Sequence, residues 1–479
     1  MGARPPQRLL GRASLETFAK ERFLLRMQPN GGYRMATSWD RKIVLVGGGS
    51  YSWSCTLLSD LMQTPELDRS ELVLLDPNLR AAREIAAAGT AMMKALGRRF
   101  QFTVTDSEPV AFRDADFVVI TISTGGLDMM EHDLAIPERY GIYQTVGDTV
   151  GPGGWSRSLR NVPVFAHLGR QIVRFAPRAV ILNYTNPMTV LTDTLIRVTG
   201  QRTVGLCHGV FANYAAFQRL FDVEEKDLCV TYGGINHFFW ILDFTVRGQP
   251  GYPLLEKRLR GRPLDQALAE GSTDPVGYYS RGVLCGELYR QYGYLPYIGD
   301  RHTSEFLPGL LTNRSLMKRF QLERTTVRQR RALVRRARQR ALAIARGKLP
   351  PPARTRETAV DIMLAVSRRK PFLDVVNLPN AGQIENLPRG AVVETLGLID
   401  SLGFRPVGVG PMPLPLQRLL EPHCHVQRLT LEAALAGDRE LALQALMMDP
   451  LCSHLPPDRV REMGSQLMAA TKRYLPQFR

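Results

Sequence analysis

Three short stretches bring together side chains that can do chemistry. In GLCHGV, residues 205–210, Cys207 and His208 stand side by side behind an apolar run. A cysteine in that setting is ordinarily a small buried hydrophobe and a histidine an ordinary structural residue. At a strand end facing a crevice, the same pair can hold a metal ion or a proton. In GGINHFFW, residues 233–240, His237 follows Asn236 and offers a second ligand. In VGGGSYS, residues 46–52, Gly47 and Gly49 fit the first two glycines of a dinucleotide turn, where a missing Cβ lets backbone N–H groups approach a pyrophosphate. Ser52 stands where the third glycine belongs, so the turn alone is equally what a glycine loop without a ligand would show. Asp76 strengthens it: it closes the next apolar run 29 residues after Gly47, where a carboxylate accepts hydrogen bonds from an adenosine ribose. An acid there repels a 2′-phosphate, which favours NAD over NADP. The competing reading of Asp76 is a helix cap for the NLRAAREIA that follows.

These residues need a scaffold, and the alternation of patterns supplies one. KIVLV (42–46), ELVLL (71–75), DFVVITI (116–122), AVILNYT (179–185) and TVGLC (203–207) are near-continuous apolar runs, as expected of strands covered on both faces. Helix-like stretches lie between them, at 78–96 and 160–176. The series predicts a parallel sheet with helices on both sides. Ligands of such sheets gather outside the carboxyl ends of the strands. Gly47, Asp76, Ser123, Asn186 and Cys207 should therefore ring one crevice, with Gly47, Gly49, Ser50, Asp76 and Ser123 as the nucleotide-binding set. The pattern changes near residue 210, and LCVTYGGINHFFWILDF (228–244) reads as a strand-like run within a second α+β domain. The expected organisation is an extension over 1–40, disordered or mis-assigned, a nucleotide domain over 41–210 and a substrate and metal domain over 211–479.

Composition narrows the function classes. The 479-residue chain carries a formal charge of +17, much of it in residues 317–348. There Leu333, Ala337, Ala341 and Ile344 form an apolar helical stripe, so the arginines are expected on the solvated side of a long helix and no nucleic-acid partner is predicted. Six cysteines without regular spacing point to a reducing compartment, hence the cytoplasm. No run of about 18 apolar residues could span a bilayer.

The ordered motifs resemble glycoside hydrolase family 4, the NAD- and metal-dependent glycosidases. The resemblance is carried by KIVLVGGGS, DLAIPERYGIYQTVGDTVGPGG (133–154), NYTNPM (183–188), GLCHGV, GGINH, GDRHTSEF (299–306) and VNLPNAGQIENLP (376–388). It implies a Rossmann-type doubly wound sheet, lactate/malate dehydrogenase-like, with a C-terminal α+β domain. It also implies a redox route of hydrolysis: hydride passes from sugar C3 to NAD+, a base takes the acidified C2 proton beside a divalent metal, the glycosidic oxygen leaves, water adds and hydride returns. By the family pattern Cys207 and His237 ligate Mn2+, Asp300 is the base and His208 the acid. Asn186 and Asp148 bind sugar hydroxyls, and Arg157 or Arg301 binds a substrate carboxylate.

In this family the residue after Cys-His tracks substrate. Gly209 resembles the α-glucuronidase branch, with Ser in the α-galactosidase and Glu in the α-glucosidase branch. The expected substrate is a small α-glucuronide, with α-galacturonide, α-galactoside or α-glucoside as the alternatives, and the expected state a homodimer or homotetramer. A lactate/malate dehydrogenase-like oxidoreductase is the rival from another class; it would need no metal.

Overall fold

The computed structural model describes residues 41–270, 281–367 and 370–478; the expected extension over 1–40 lies outside them. The strands are β1 (Lys42–Val46), β2 (Glu71–Leu75), β3 (Gln101–Thr105), β4 (Phe117–Ile120), β5 (Val180–Asn183), β6 (Thr203–Gly205), β7 (Leu228–Ile235), β8 (Phe238–Val246), β9 (Gln249–Pro250), β10 (Leu295–Pro296), β11 (Phe372–Pro379), β12 (Val392–Asp400) and β13 (Gly403–Pro406). The first six pair in parallel in the order β6-β5-β4-β1-β2-β3. This is the doubly wound Rossmann order, whose direction reverses between β1 and β4 and opens a crevice there. The apolar runs that announced these strands are buried along nearly their whole length. The exception is β3, QFTVT, whose alternating polar composition hid it from the sequence reading.

The C-terminal half extends the same sheet. Strand β11 bridges β6 at Asn377 and Gly205, and β12 bridges β7 at Glu394 and Gly234. From there β7, β8 and β10 continue antiparallel, with β9 on β8 and β13 on β12. The run 228–244, read as one strand-like stretch, is a hairpin: Asn236 and His237 form its turn, and His237 has φ 66°. A non-glycine residue in that left-handed region is uncommon and places the side chain where an extended residue could not.

Two helices differ from their sequence patterns. The helix expected over 160–176 begins earlier, at Gly151, and runs to Phe175, because the glycines of VGPGG form its first turn rather than a loop. Gly154 is required there, since a Cβ would lie 2.4 Å from the Thr149 carbonyl carbon. The basic segment forms the helix Val327–Ala345, opened by a capping box between Thr326 and Gln329. Its stripe is buried at one end only: Ala341 and Ile344 are covered, whereas Leu333 is exposed. Ion pairs fasten the rest, Arg338 to Glu84 at 2.7 Å and Arg331 to Asp128 at 2.8 Å. Among the described residues, no helix is long and apolar enough to cross a membrane.

Candidate active site

The glycine turn sits at the carboxyl end of β1, ahead of the helix Trp53–Met62. Gly49 N–H donates to Asp76 Oδ2 at 2.9 Å and Asn78 N–H to Asp76 Oδ1 at 2.7 Å. Asp76 thus ties down the glycine turn, whereas the cap of the next helix is Asn78, whose side chain accepts from Ala81 N–H at 3.2 Å. A Cβ on Gly49 would stand 2.9 Å from that carboxylate, and one on Gly47 2.5 Å from the Thr121 carbonyl oxygen. Ser50 lies in the turn, its Oγ accepting from Trp53 N–H at 3.4 Å. Ser123 is exposed just beyond β4. The architecture fits a dinucleotide by the absence of side chains where the backbone must meet phosphate.

Across the crevice, Asp148, His237 and His302 bring one ligand atom each to within 4.8 Å of one another. Thr149 orders them. Its hydroxyl lies 2.8 Å from Asp148 Oδ1 and 2.9 Å from His237 Nδ1. A carboxylate only accepts, so the single hydroxyl hydrogen goes to Asp148, and the oxygen accepts from Nδ1–H of His237. That tautomer leaves the lone pair of His237 on Nε2, the atom free to ligate. Burial, only partly opposed by Asp148, drops His237 to about 4, so its imidazole is neutral at pH 7. Burial would raise Asp148, yet the positive charges of His302, Arg330 and Arg157 outweigh it and hold the carboxyl well below its usual range. His302 itself is driven low by burial and by His237, so near neutrality the arginines are the charges that act on Asp148.

Of the expected metal pair, His237 is in this cluster and Cys207 is not. The Cys207 thiol is buried and accepts from Gly209 N–H at 3.3 Å. Burial first, then the charge of Glu394, pushes it well above the ordinary thiol range. An oxygen and two imidazole nitrogens form a donor set that suits Mn2+ better than a thiolate does, and Cys207 would join it only after losing its proton. Releasing the Cys207 proton would accompany any such binding.

His208 is half-buried, with Nδ1 3.3 Å from Glu357 Oε1 and its ring 5.7 Å from that of Trp53 beside the glycine turn. Asn186, at a cis Asn–Pro bond after β5, accepts from Arg157 Nε at 2.9 Å through its backbone oxygen, while its side-chain Oδ1 is buried without a hydrogen-bond partner. Asp300, the expected base, stands two residues before His302. Its carboxylate is buried and accepts from Leu284 N–H at 3.2 Å and Cys285 N–H at 3.0 Å, capping the helix Val283–Tyr292. Arg301 follows it in the short helix Asp300–Thr303, which also delivers His302.

Several contributors carried no signal of their own. His302 lay within GDRHTSEF, in which Asp300 drew the attention. Glu305, from the same stretch, accepts from Val146 N–H at 2.7 Å and Gly147 N–H at 2.8 Å and shapes the loop that carries Asp148. Burial raises Glu305 to about 7. Tyr297 places its ring 6.1 Å from that of His237. Arg330, from the basic helix, reaches to 3.9 Å from Asp148.

Residues 42–223 match the family 4 glycosyl hydrolases and residues 232–452 the C-terminal domain of that family. The alpha-galacturonidase of Bacillus subtilis (strain 168) is 34% identical over 435 residues, 88% of this chain and 95% of that protein. That of Lachnoclostridium phytofermentans is 31% identical over 458 residues, covering 91% of this chain and 97% of the relative. The crystal structure of lplD from Bacillus subtilis superposes with a TM-score of 0.81 at 30% identity, over 90% of this chain and all of that one. The 6-phospho-beta glucosidase of Thermotoga maritima, solved with manganese, NAD+ and glucose-6-phosphate, shares the fold at 22% identity with a TM-score of 0.74, over 90% and 98% of the two chains. With both halves matched in order, the chain belongs to glycosyl hydrolase family 4.

Proposed function

We propose that this glycosidase cleaves α-linked hexuronides, α-galacturonides foremost, using NAD+ and a divalent metal such as Mn2+. The observation that carries the reading is the pairing, in one chain, of a glycine turn tied to Asp76 with an Asp148–His237–His302 cluster flanked by arginines. A lactate- or malate-type oxidoreductase has no use for the second of these. The relatives named alpha-galacturonidase, 29–34% identical, support the sugar. The α-glucuronide stays as the second reading because of Gly209, which leaves space beside Cys207 and the Tyr297 ring.

When bound, the nicotinamide would accept and return a hydride at sugar C3, and the metal would polarise the C2 and C3 oxygens as a Lewis acid. Gly47, Gly49, Ser50 and Asp76 would hold the former, with Ser123 at the rim; Asp148, His237 and His302, with Cys207 after loss of its proton, would hold the latter. Asn186 turns an unclaimed amide oxygen toward sugar hydroxyls. His208 donates a proton to the leaving oxygen, oriented by Glu357. Asp300, two residues before His302 in the same short helix, takes the C2 proton. A reducing cytoplasm is part of the same proposal, supported by six free cysteines, and so is a homodimeric or homotetrameric state.

The test is a panel of p-nitrophenyl α-glycosides with added NAD+, Mn2+ and a thiol reductant. The expected outcome is turnover of the α-galacturonide that stops on chelation and on removal of nicotinamide. Full turnover without nicotinamide, or a kcat/KM for the α-galactoside or α-glucoside above those for both uronides, would sink it.

A further inference from the structure

We propose that Arg330, on the basic helix Val327–Ala345, is the residue that reads the substrate's C6 carboxylate and so sets the preference for uronides over neutral sugars. This rests on the hexuronide reading above and names the side chain behind it.

The first argument is charge balance. Two guanidinium groups, Arg157 and Arg330, act on the single carboxylate of Asp148. A metal cation held by Asp148, His237 and His302 would add to the positive side. Even counting Glu305, which burial raises to about 7, the surroundings of Asp148 carry more positive than negative charge, and a hexuronide brings one carboxylate.

The second argument is which guanidinium has capacity left. Arg157 is engaged through Nε with the Asn186 carbonyl oxygen at 2.9 Å. Arg330 is not comparably committed. Its Nη2 stands 3.9 Å from Asp148 Oδ2, close enough for charge attraction but beyond hydrogen-bond distance, and its buried Nε has no hydrogen-bond partner. A buried donor left unpaired is costly, and native proteins rarely keep one without a use. The side chain is 24% exposed, so part of the group reaches solvent beside Asp148. A guanidinium there presents a fork that matches a carboxylate in two parallel bonds.

The third argument is rigidity. The residues leading into the helix are fastened to the loop that carries Asp148: Thr325 N–H donates to the Thr145 carbonyl at 2.8 Å and Arg324 Nε to the Gln144 carbonyl at 3.2 Å. The Thr326–Gln329 capping box then fixes the first turn, which contains Arg330. A specificity group must be held in this way to discriminate. The competing account, in which Arg330 only neutralises Asp148, makes a different prediction, because it would affect all substrates alike.

The experiment compares p-nitrophenyl α-galacturonide with p-nitrophenyl α-galactoside, which differ at C6 alone. In the folded enzyme with NAD+ and Mn2+, Arg330→Gln is expected to lower kcat/KM for the galacturonide about 100-fold more than for the galactoside. Arg330→Lys, which keeps the charge without the fork, should fall between and carries the test if the glutamine variant does not fold. Arg335→Gln, on the exposed side of the same helix, should keep the wild-type ratio. Equal losses on both substrates, or no loss, overturn the proposal. A wild-type enzyme that prefers the galactoside overturns the hexuronide reading itself, and the assignment of Arg330 with it.

Discussion

One hydroxyl hydrogen, on Thr149, decides the tautomer of His237 and the orientation of Asp148. Replacing it by the near-isosteric valine, Thr149→Val, keeps the volume and removes both bonds. Partners of metal ligands of this kind typically cost 10–100-fold in metal affinity when lost. Mn2+ titration of the metal-free protein, followed by the EPR signal of the free ion, should show a weakening in that range; unchanged affinity would mean that Thr149 does not order the site. At this scale the sequence was legible where chemistry is written locally. His237, in GGINH, stands in a motif whose residue types mark it as a candidate ligand, and it is the one residue of the expected metal pair found in the cluster. His302, Glu357 and Arg330 carry no such mark, because each meets its partner only through folding: Glu357 finds His208, and Arg330 finds Asp148, from far along the chain. Asp300 has a second contact of this kind: its carboxylate also accepts from the first turn of a helix that no local pattern connects to it.

Helices show how periodicity and context divide the work. The pattern over 78–96 located the helix Leu79–Ala95 to within a residue at each end, because its apolar stripe is buried along its length, at Ala82, Ile85, Ala88 and Met92. The stripe of the basic helix misled about Leu333, since the helix buries only its C-terminal part, at Ala341 and Ile344. In the helix Leu414–Ala436 a polar group is locked in the interior: His423 donates from Nε2 to the Phe306 carbonyl at 2.9 Å. Burial, partly offset by that carbonyl, lowers it to about 4 from an ordinary 6.5. It is neutral in the folded state, whereas the unfolded chain binds a proton below about pH 6.5. The stability it contributes is therefore complete above that pH and is lost as pH falls toward 4, by about 3 kcal/mol. His423→Gln, which keeps a donor for Phe306, should flatten this acid limb. Urea midpoints measured at about pH 4.5 and 7 for both proteins, on either side of the unfolded-state titration, decide it; parallel losses would clear His423 of responsibility.

At the scale of the molecule, the parallel half was readable as alternating apolar runs and amphipathic helices. Its continuation was not, because antiparallel strands from distant segments join it through the bridges Asn377–Gly205 and Glu394–Gly234, which leave no periodic trace. Asn377 and Asn236 both donate to Glu394 at these seams, at 2.9 and 3.0 Å. One apolar core runs from Val44 to Leu475, and Trp155 Nε1 donates to the Ala442 carbonyl at 2.8 Å. The two halves named by the domain boundary thus share their interior. A truncated chain ending at residue 223, where the first family match stops, should therefore be recovered as insoluble protein, with its last parallel strand an open edge and the helix Gly151–Phe175 stripped of its cover. A soluble, NAD-binding fragment would contradict this. For anyone wishing to change the enzyme's substrate by grafting, the seam is the obstacle: modules cannot be exchanged at a junction where the cofactor strands and the sugar strands are neighbours in one sheet, and new specificity has to be introduced by single residues around a fixed frame.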